Sequence, residues 1–311
     1  MKRRTGKIIG LAALVVAATF ILSWPSLIKF AVQSSLQAVR RDGTTLSWSG
    51  LSTGFSSVAL ETVTVWMRGP RVKGSLSIPL SLELQQLSVT LNVPSLLALS
   101  PRVTYSTSLY GGSIAGEAHN GAGGTATSGI FENIELGKHP QLMGLGIRGG
   151  RTNGAFKELL ISPRGIEGGT FSFRLRELEV PNFDAATSLL RTQTLGTVDA
   201  DAEGVISPTT VVIKDIRLAS LFGSVVGEIT VSDHLSPSPS LKGSLEVSLS
   251  ENGITTLGPW LPLIPNGGLD SSTSAFSVAL TTTPCTAPRT SATVLRLQYG
   301  CVKLTFTRRE P

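Results

Sequence analysis

The sequence predicts a mainly β protein: a single N-terminal transmembrane helix, then a long, curved, mostly antiparallel meandering sheet with a few short helices. Three observations predict it: one charge-free apolar run near the N-terminus, period-two alternation through most of the remaining chain, and glycines set between the alternating segments. With 311 residues, 41% hydrophobic and only 15% charged, the chain is too apolar and too weakly charged to be disordered. Its length allows one large domain or two small ones, and the lack of a dividing linker favours one.

Residues 1–7 form a basic stub (Lys2, Arg3, Arg4, Lys7) ahead of IIGLAALVVAATFILSW, seventeen uncharged residues from Ile8 to Trp24. At 1.5 Å per residue this run reaches about 26 Å, just enough to cross a bilayer. Ile8, Leu14 and Phe20 are its apolar body, and Trp24 suits the far headgroup boundary. The positive-inside rule keeps the stub in the cytoplasm and exports everything after Trp24. The competing reading is a cleaved signal peptide, whose apolar region is shorter and ends in a small-x-small site; ILSWPSL is a poor one. Residues 25–41 place Leu27, Phe30, Ala31 and Ser34 at helical spacing and read as a juxtamembrane helix, a stalk or a partner helix.

The net charge of +6 raises a nucleic-acid partner, and its distribution removes it. Residues 1–41 carry seven of the 27 basic side chains and no acid, leaving 20 basic against 21 acidic in residues 42–311. The remaining cations stand singly, without interleaved aromatics, so no phosphate-tracking stripe is expected.

Beyond residue 42 the pattern is that of a β-rich exported domain, 42–311. Phe171, Phe173 and Leu175 alternate with Ser172, Arg174 and Arg176, and Leu241, Leu245, Val247 and Leu249 alternate with Lys242, Ser244, Glu246 and Ser248. Such strands have one dry and one wet face. Towards the C-terminus Phe276, Val278 and Leu280 continue it, followed by Leu295, Leu297 and Tyr299. Val302, Leu304 and Phe306 are one residue out of phase, which predicts a bulge. Glycine followed by an amphipathic strand recurs at Tyr110, Gly149, Gly168, Phe222 and Lys242 at uneven spacing, the mark of a meander rather than a strict solenoid. Helical signal is limited to Val93–Leu99, Pro181–Leu190 and Gly253–Leu263, the first two opening on proline.

Chemistry is sparse. His119, His139 and His234 stand apart from one another and from the cysteines, so no metal site is expected. There is no P-loop. Gly144, Gly146 and Gly149 spell G-x-G-x-x-G, but another turn comes next, so they read as turn glycines. Asp199, Asp201 and Glu203 alternate on a strand and are expected on one solvated face rather than around calcium. Trp260, Leu261, Leu263 and Ile264 in GPWLPLIPNGG read as a lid over the sheet's end, the alternative being an exposed docking or membrane-dipping loop. Cys285 and Cys301, both on the exported side, are expected to form a disulfide, the alternative being two buried thiols. Closing that loop of about 17 residues contributes about 3 kcal/mol by chain entropy. No catalytic residue and no cofactor is predicted.

A basic stub, one N-terminal span and a glycine-rich β body carrying LYGGSIAG at Leu109–Gly116 resemble the N subunit of bacterial type II secretion systems (GspN), within the wider AsmA-like group. The segments Gly168–Phe183 and Phe222–Ser250 are similar to that family as well, and the likeness covers most of residues 8–311. The resemblance implies an AsmA-like trough or sandwich in an inner-membrane, periplasm-facing, non-enzymatic subunit whose partners are other secretion-system proteins in the envelope. The AsmA-like side of it implies an alternative, a lipid-binding or lipid-transfer protein that shields acyl chains. A hydrolase assembled from distant residues is the third reading. No catalytic positions carry across.

Overall fold

The computed structural model describes residues 44–67, 80–97, 100–144, 147–162, 164–179, 196–236, 239–264, 268–283, 294–297 and 300–308. The expected anchor (Ile8, Leu14, Phe20, Trp24), the juxtamembrane helix, the helical candidate Pro181–Leu190 and Cys285 lie outside them. Among the described residues no helix is long and apolar enough to cross a membrane. The chain divides into two compact units, Met1–Leu109 and Tyr110–Pro311.

The first unit is an antiparallel sheet in the order β1 (Thr44–Ser49), β3 (Ser57–Met67), β4 (Leu80–Asn92), β5 (Arg102–Leu109), with the two-residue β2 (Ser52–Thr53) also paired to β3. Among its described residues the buried apolar side chains are Leu60 and Val63 on β3. A single helical turn, α1 (Val93–Leu97), follows β4 where V-P-S-L-L is expected to be helical; Asn92 precedes it and its side-chain carbonyl receives the Ser95 N–H.

The second unit is a meander. β6 (Gly112–Gly121), β7 (Gly124–Glu135), β8 (Arg151–Ser162), β9 (Gly165–Glu179), β10 (Thr197–Ile206), β11 (Thr210–Ser220), β12 (Gly223–Ser232), β13 (Ser240–Leu249) and β14 (Ala275–Thr283) lie side by side in chain order. β16 (Gly300–Arg308) then pairs with β14, and β15 (Val294–Leu297) lies outside β16. The phase change expected to be a bulge is therefore a change of strand: Leu297 sits opposite Gly300 and the chain reverses direction between them. A two-residue reversal shifts the alternation just as an inserted residue does, so the two are indistinguishable by periodicity alone.

Register fixes the faces, because directly paired residues point the same way. One row runs Gly129–Phe156–Phe171–Gly204–Ile213–Ile229–Gly243–Leu280–Leu304 across nine strands. On the other face Asn153, Arg174, Asp201, Arg217, Val226, Glu246 and Ser277 form a mostly polar row over seven. The alternation seen in sequence is this two-faced sheet.

At its C-terminal end the apolar face is covered. The connection from β13 to β14 forms α3 (Glu251–Leu257) and then a 3-10 turn, Gly258–Leu263. α3 starts two residues before the expected Gly253 because Ser250 caps it, its hydroxyl accepting the Gly253 N–H at 3.1 Å. Leu261 enters a cluster with Leu269, Phe276 and Val278, flanked by Leu245, Val247, Leu249, Ile264, Leu304 and Phe306. The lid expected at GPWLPL is thus present, with Leu261 buried and Leu263 pointing outward. A further short helix, α2 (Pro140–Gly144), lies between β7 and β8. Its Pro start and Gly end are a readable signal that the alternation overshadows.

Candidate functional site

The site with most structure is the pair of faces on β7–β12. On the apolar face, Phe131, Phe156, Phe171 and Phe173 are half-buried, as are Leu175, Ile213, Ile216, Leu218, Val225 and Ile229. Glycines seat the rings. A Cβ at Gly154 would fall 2.3 Å from the Phe131 ring, and one at Gly204 would fall 2.3 Å from the Phe171 ring. Each phenylalanine lies across the strand beside it, with the glycine as its floor. The burial of the C-terminal cluster is not repeated here: the deeply buried apolar side chains of β6–β12 are Ala126, Ile134, Val198 and Ala202.

The strands are kinked at repeated bulges whose pivot is a polar residue at positive φ: Asn133 (54°), Glu158 (50°), Glu177 (55°) and Asp215 (50°). A bulge detaches an N–H from the ladder, which must find another acceptor. In three of the four, the residue standing opposite supplies it. Asn133 donates to Asn153 Oδ1 at 2.7 Å, Glu158 to Ser128 Oγ at 2.9 Å, and Glu177 to Asp199 Oδ1 at 2.8 Å. Asp199 therefore has a structural task. Nothing in the local sequence marks it, since only the register puts Asp199 beside residue 177.

The wet face of β8–β11 carries a groove of about 450 Å³ lined by Asn153, Arg174, Arg176, Asp201, Glu203 and Arg217. Arg176 grips both oxygens of Asp201, at 2.8 and 3.0 Å, and also donates to the Leu175 carbonyl at 2.9 Å. That hydrogen bond to Asp201 raises the guanidinium's pKa above its ordinary value, against the opposing effect of desolvation. Arg174 approaches the same carboxylate at 3.9 Å. Asp199, Asp201 and Glu203 do share the wet face, in line with the alternation, and two of them are engaged by β9. Among the described residues no three His, Cys, Asp or Glu side chains gather as a metal cluster.

The three histidines stand in separate elements. His119 on β6 faces Glu158 at 3.8 Å, buried His139 packs against Tyr110 with ring centroids 5.1 Å apart, and His234 contacts the Ile166 carbonyl at 3.0 Å. Gly144 ends α2 and Gly149 leads into β8, so a strand follows the G-x-G-x-x-G run where a dinucleotide fold needs a helix. Cys301 is buried on β16 and is disulfide-bonded. Asp270, at the end of the lid, takes hydrogen bonds from the Ser272 hydroxyl and N–H, from Arg308 and from Thr273, which hold its pKa down at about 2.

Comparisons with protein-family models, with curated proteins and with solved structures find no match to this chain.

Proposed function

We propose that this is a non-enzymatic protein of the bacterial inner membrane, anchored once through Ile8–Trp24 with its β body in the periplasm, and that it handles lipid as the AsmA-like resemblance implies. The observation that carries the reading is the apolar face of β7–β12, whose aromatic side chains are half-buried, glycines set among them, and which the described residues leave without a second layer. An acyl chain laid on that face loses its water-exposed methylenes at about 0.8 kcal/mol each, so a long apolar lining needs no charged site. On this reading the sheet is an open trough rather than a sandwich, and Cys285 is the partner of Cys301.

The test is mass spectrometry of the detergent-extracted full-length protein. Co-purifying phospholipid, reduced when Phe171 and Phe173 are both replaced by Asp, is the expected result; no bound lipid in the unaltered protein overturns it.

A second reading, the type II secretion subunit, is favoured by the edge of β16. Residues Leu304–Arg308 pair with β14 on one side, while among the described residues β15 reaches only as far as Lys303 on the other. Such an edge suits strand addition by another subunit. Affinity purification from solubilised inner membrane is expected to recover secretion proteins. Recovery of none, with normal secretion in a deletion strain, eliminates this reading.

A further inference from the structure

We infer that one end of the second unit is a membrane-contact surface, in which Leu263, Leu221 and Met143 enter a lipid surface. The inference rests on the envelope location proposed above, and goes beyond it by naming the residues that touch the bilayer.

These three are among the most exposed large apolar side chains described, at 68%, 52% and 58%. They occupy three different connections, β13–β14, β11–β12 and β7–β8. In an antiparallel meander these connections all leave from the same end of the strands. The exposure of Leu263 is imposed by its surroundings. Leu261, two residues earlier, is held in the core, the 3-10 turn between them contains Pro262, and the far end of the lid is tied down by Asp270 and Arg308. Leu221 belongs to the same assembly, because Ser250, the cap of α3, donates its hydroxyl to the Leu221 carbonyl at 2.7 Å. Trp260, one turn from Leu263, supplies the amphipathic ring that favours a headgroup boundary.

Spacing favours lipid over protein as the occupant. At about 4.8 Å per strand, the β7–β8 and β11–β12 connections are separated by roughly 19 Å measured along the sheet. A protein partner would need a separate fitted pocket for each tip, whereas an acyl interface accepts isolated apolar projections wherever they fall. At this end Glu135 pairs with Lys138 at 3.0 Å and Asp270 with Arg308, which lowers the cost of approaching anionic headgroups, while Glu179 and Glu251 are exposed and oppose it. At the opposite end Leu235, which lies against Gly165, and Ile166, Val205 and Ile161 are 38%, 40%, 44% and 46% exposed, each less than these three.

The test uses the full chain reconstituted into vesicles of phosphatidylethanolamine and phosphatidylglycerol, with Leu263→Cys carrying an environment-sensitive fluorophore. Thr209→Cys, at an exposed position in the β10–β11 connection of the opposite end, serves as the control. Flotation with the vesicles, and stronger quenching by doxyl-labelled lipid at 263 than at 209, is the expected result. Flotation with equal quenching at the two sites overturns the inference and leaves the envelope reading standing, whereas failure to float removes both. In a second arm the label sits at Leu221→Cys and Leu263 is changed to Asp. Loss of most of the quenching at 221, with an unchanged β-type circular dichroism spectrum, supports a shared surface; retained quenching overturns it.

Discussion

Two regions of the second unit are made of the same kind of strand and meet different fates. At β13–β16 the apolar face is covered by the long connection holding α3 and the Leu261 turn, and Phe276 and Val278 are buried. At β8–β11 the equivalent residues, Phe171, Phe173, Ile213 and Leu218, stay half-buried, while the wet face gathers the Arg176–Asp201 pair and its groove. Strand pattern alone therefore does not make a core here. Among the described residues, the buried cluster appears where the β13–β14 connection folds back over the sheet.

That contrast is open to direct attack. The largest effect is expected at the lid: Leu261→Ala empties a packed site and should cost about 2–4 kcal/mol in urea unfolding, whereas Phe173→Ala on the half-buried face should cost clearly less despite removing more atoms. Equal losses would mean that both regions are cores. Next comes Gly204→Val, which pushes a side chain into the Phe171 ring and should cost about 1–3 kcal/mol by forcing the ring to swing away. Asp199→Ala, which leaves the Glu177 N–H without its acceptor, should cost about 1 kcal/mol, with faster amide exchange at Glu177 as the residue-level signature.

The smallest effect is that of pH on the lid's far end. The Asp270 carboxyl is depressed to about 2 by the Ser272, Arg308 and Thr273 contacts. A depressed carboxyl contributes stability that is complete above the ordinary value of about 4 and is lost as pH falls towards 2. The difference in melting temperature between the unaltered protein and Asp270→Asn should accordingly be level above about pH 5 and shrink below about pH 4. The carboxylate is well exposed, so the difference is modest and decreases further with salt.

Much of this is legible in sequence. The alternation at Phe171–Arg176 and at Leu241–Leu249 identifies both faces of β9 and β13, and the ambivalent GPWLPL segment has one leucine inward and one outward. The bulges are not legible. Their pivots are Asn133, Glu158, Glu177 and Asp215 rather than glycine, and a polar residue in a strand looks the same whether it faces solvent or turns the backbone. The Arg176–Asp201 pair is hidden for a related reason: it spans 25 residues, and it is a diagonal contact, Asp201 standing directly opposite Arg174. The expected start of α3 misses the true one because Ser250, its cap, also continues the polar half of the preceding strand's alternation.

The order of the strands in the second unit bears on how it is assembled. From β7 to β14 each strand docks on the one delivered just before it, so contacts are local along the chain and structure can grow as the polypeptide emerges, without waiting for distant sequence. The exception is the final hairpin, where β15 arrives with no edge to join and must wait until β16 has taken its place beside β14. A chain cut short before residue 300 would therefore keep a zipped meander and lose its last edge.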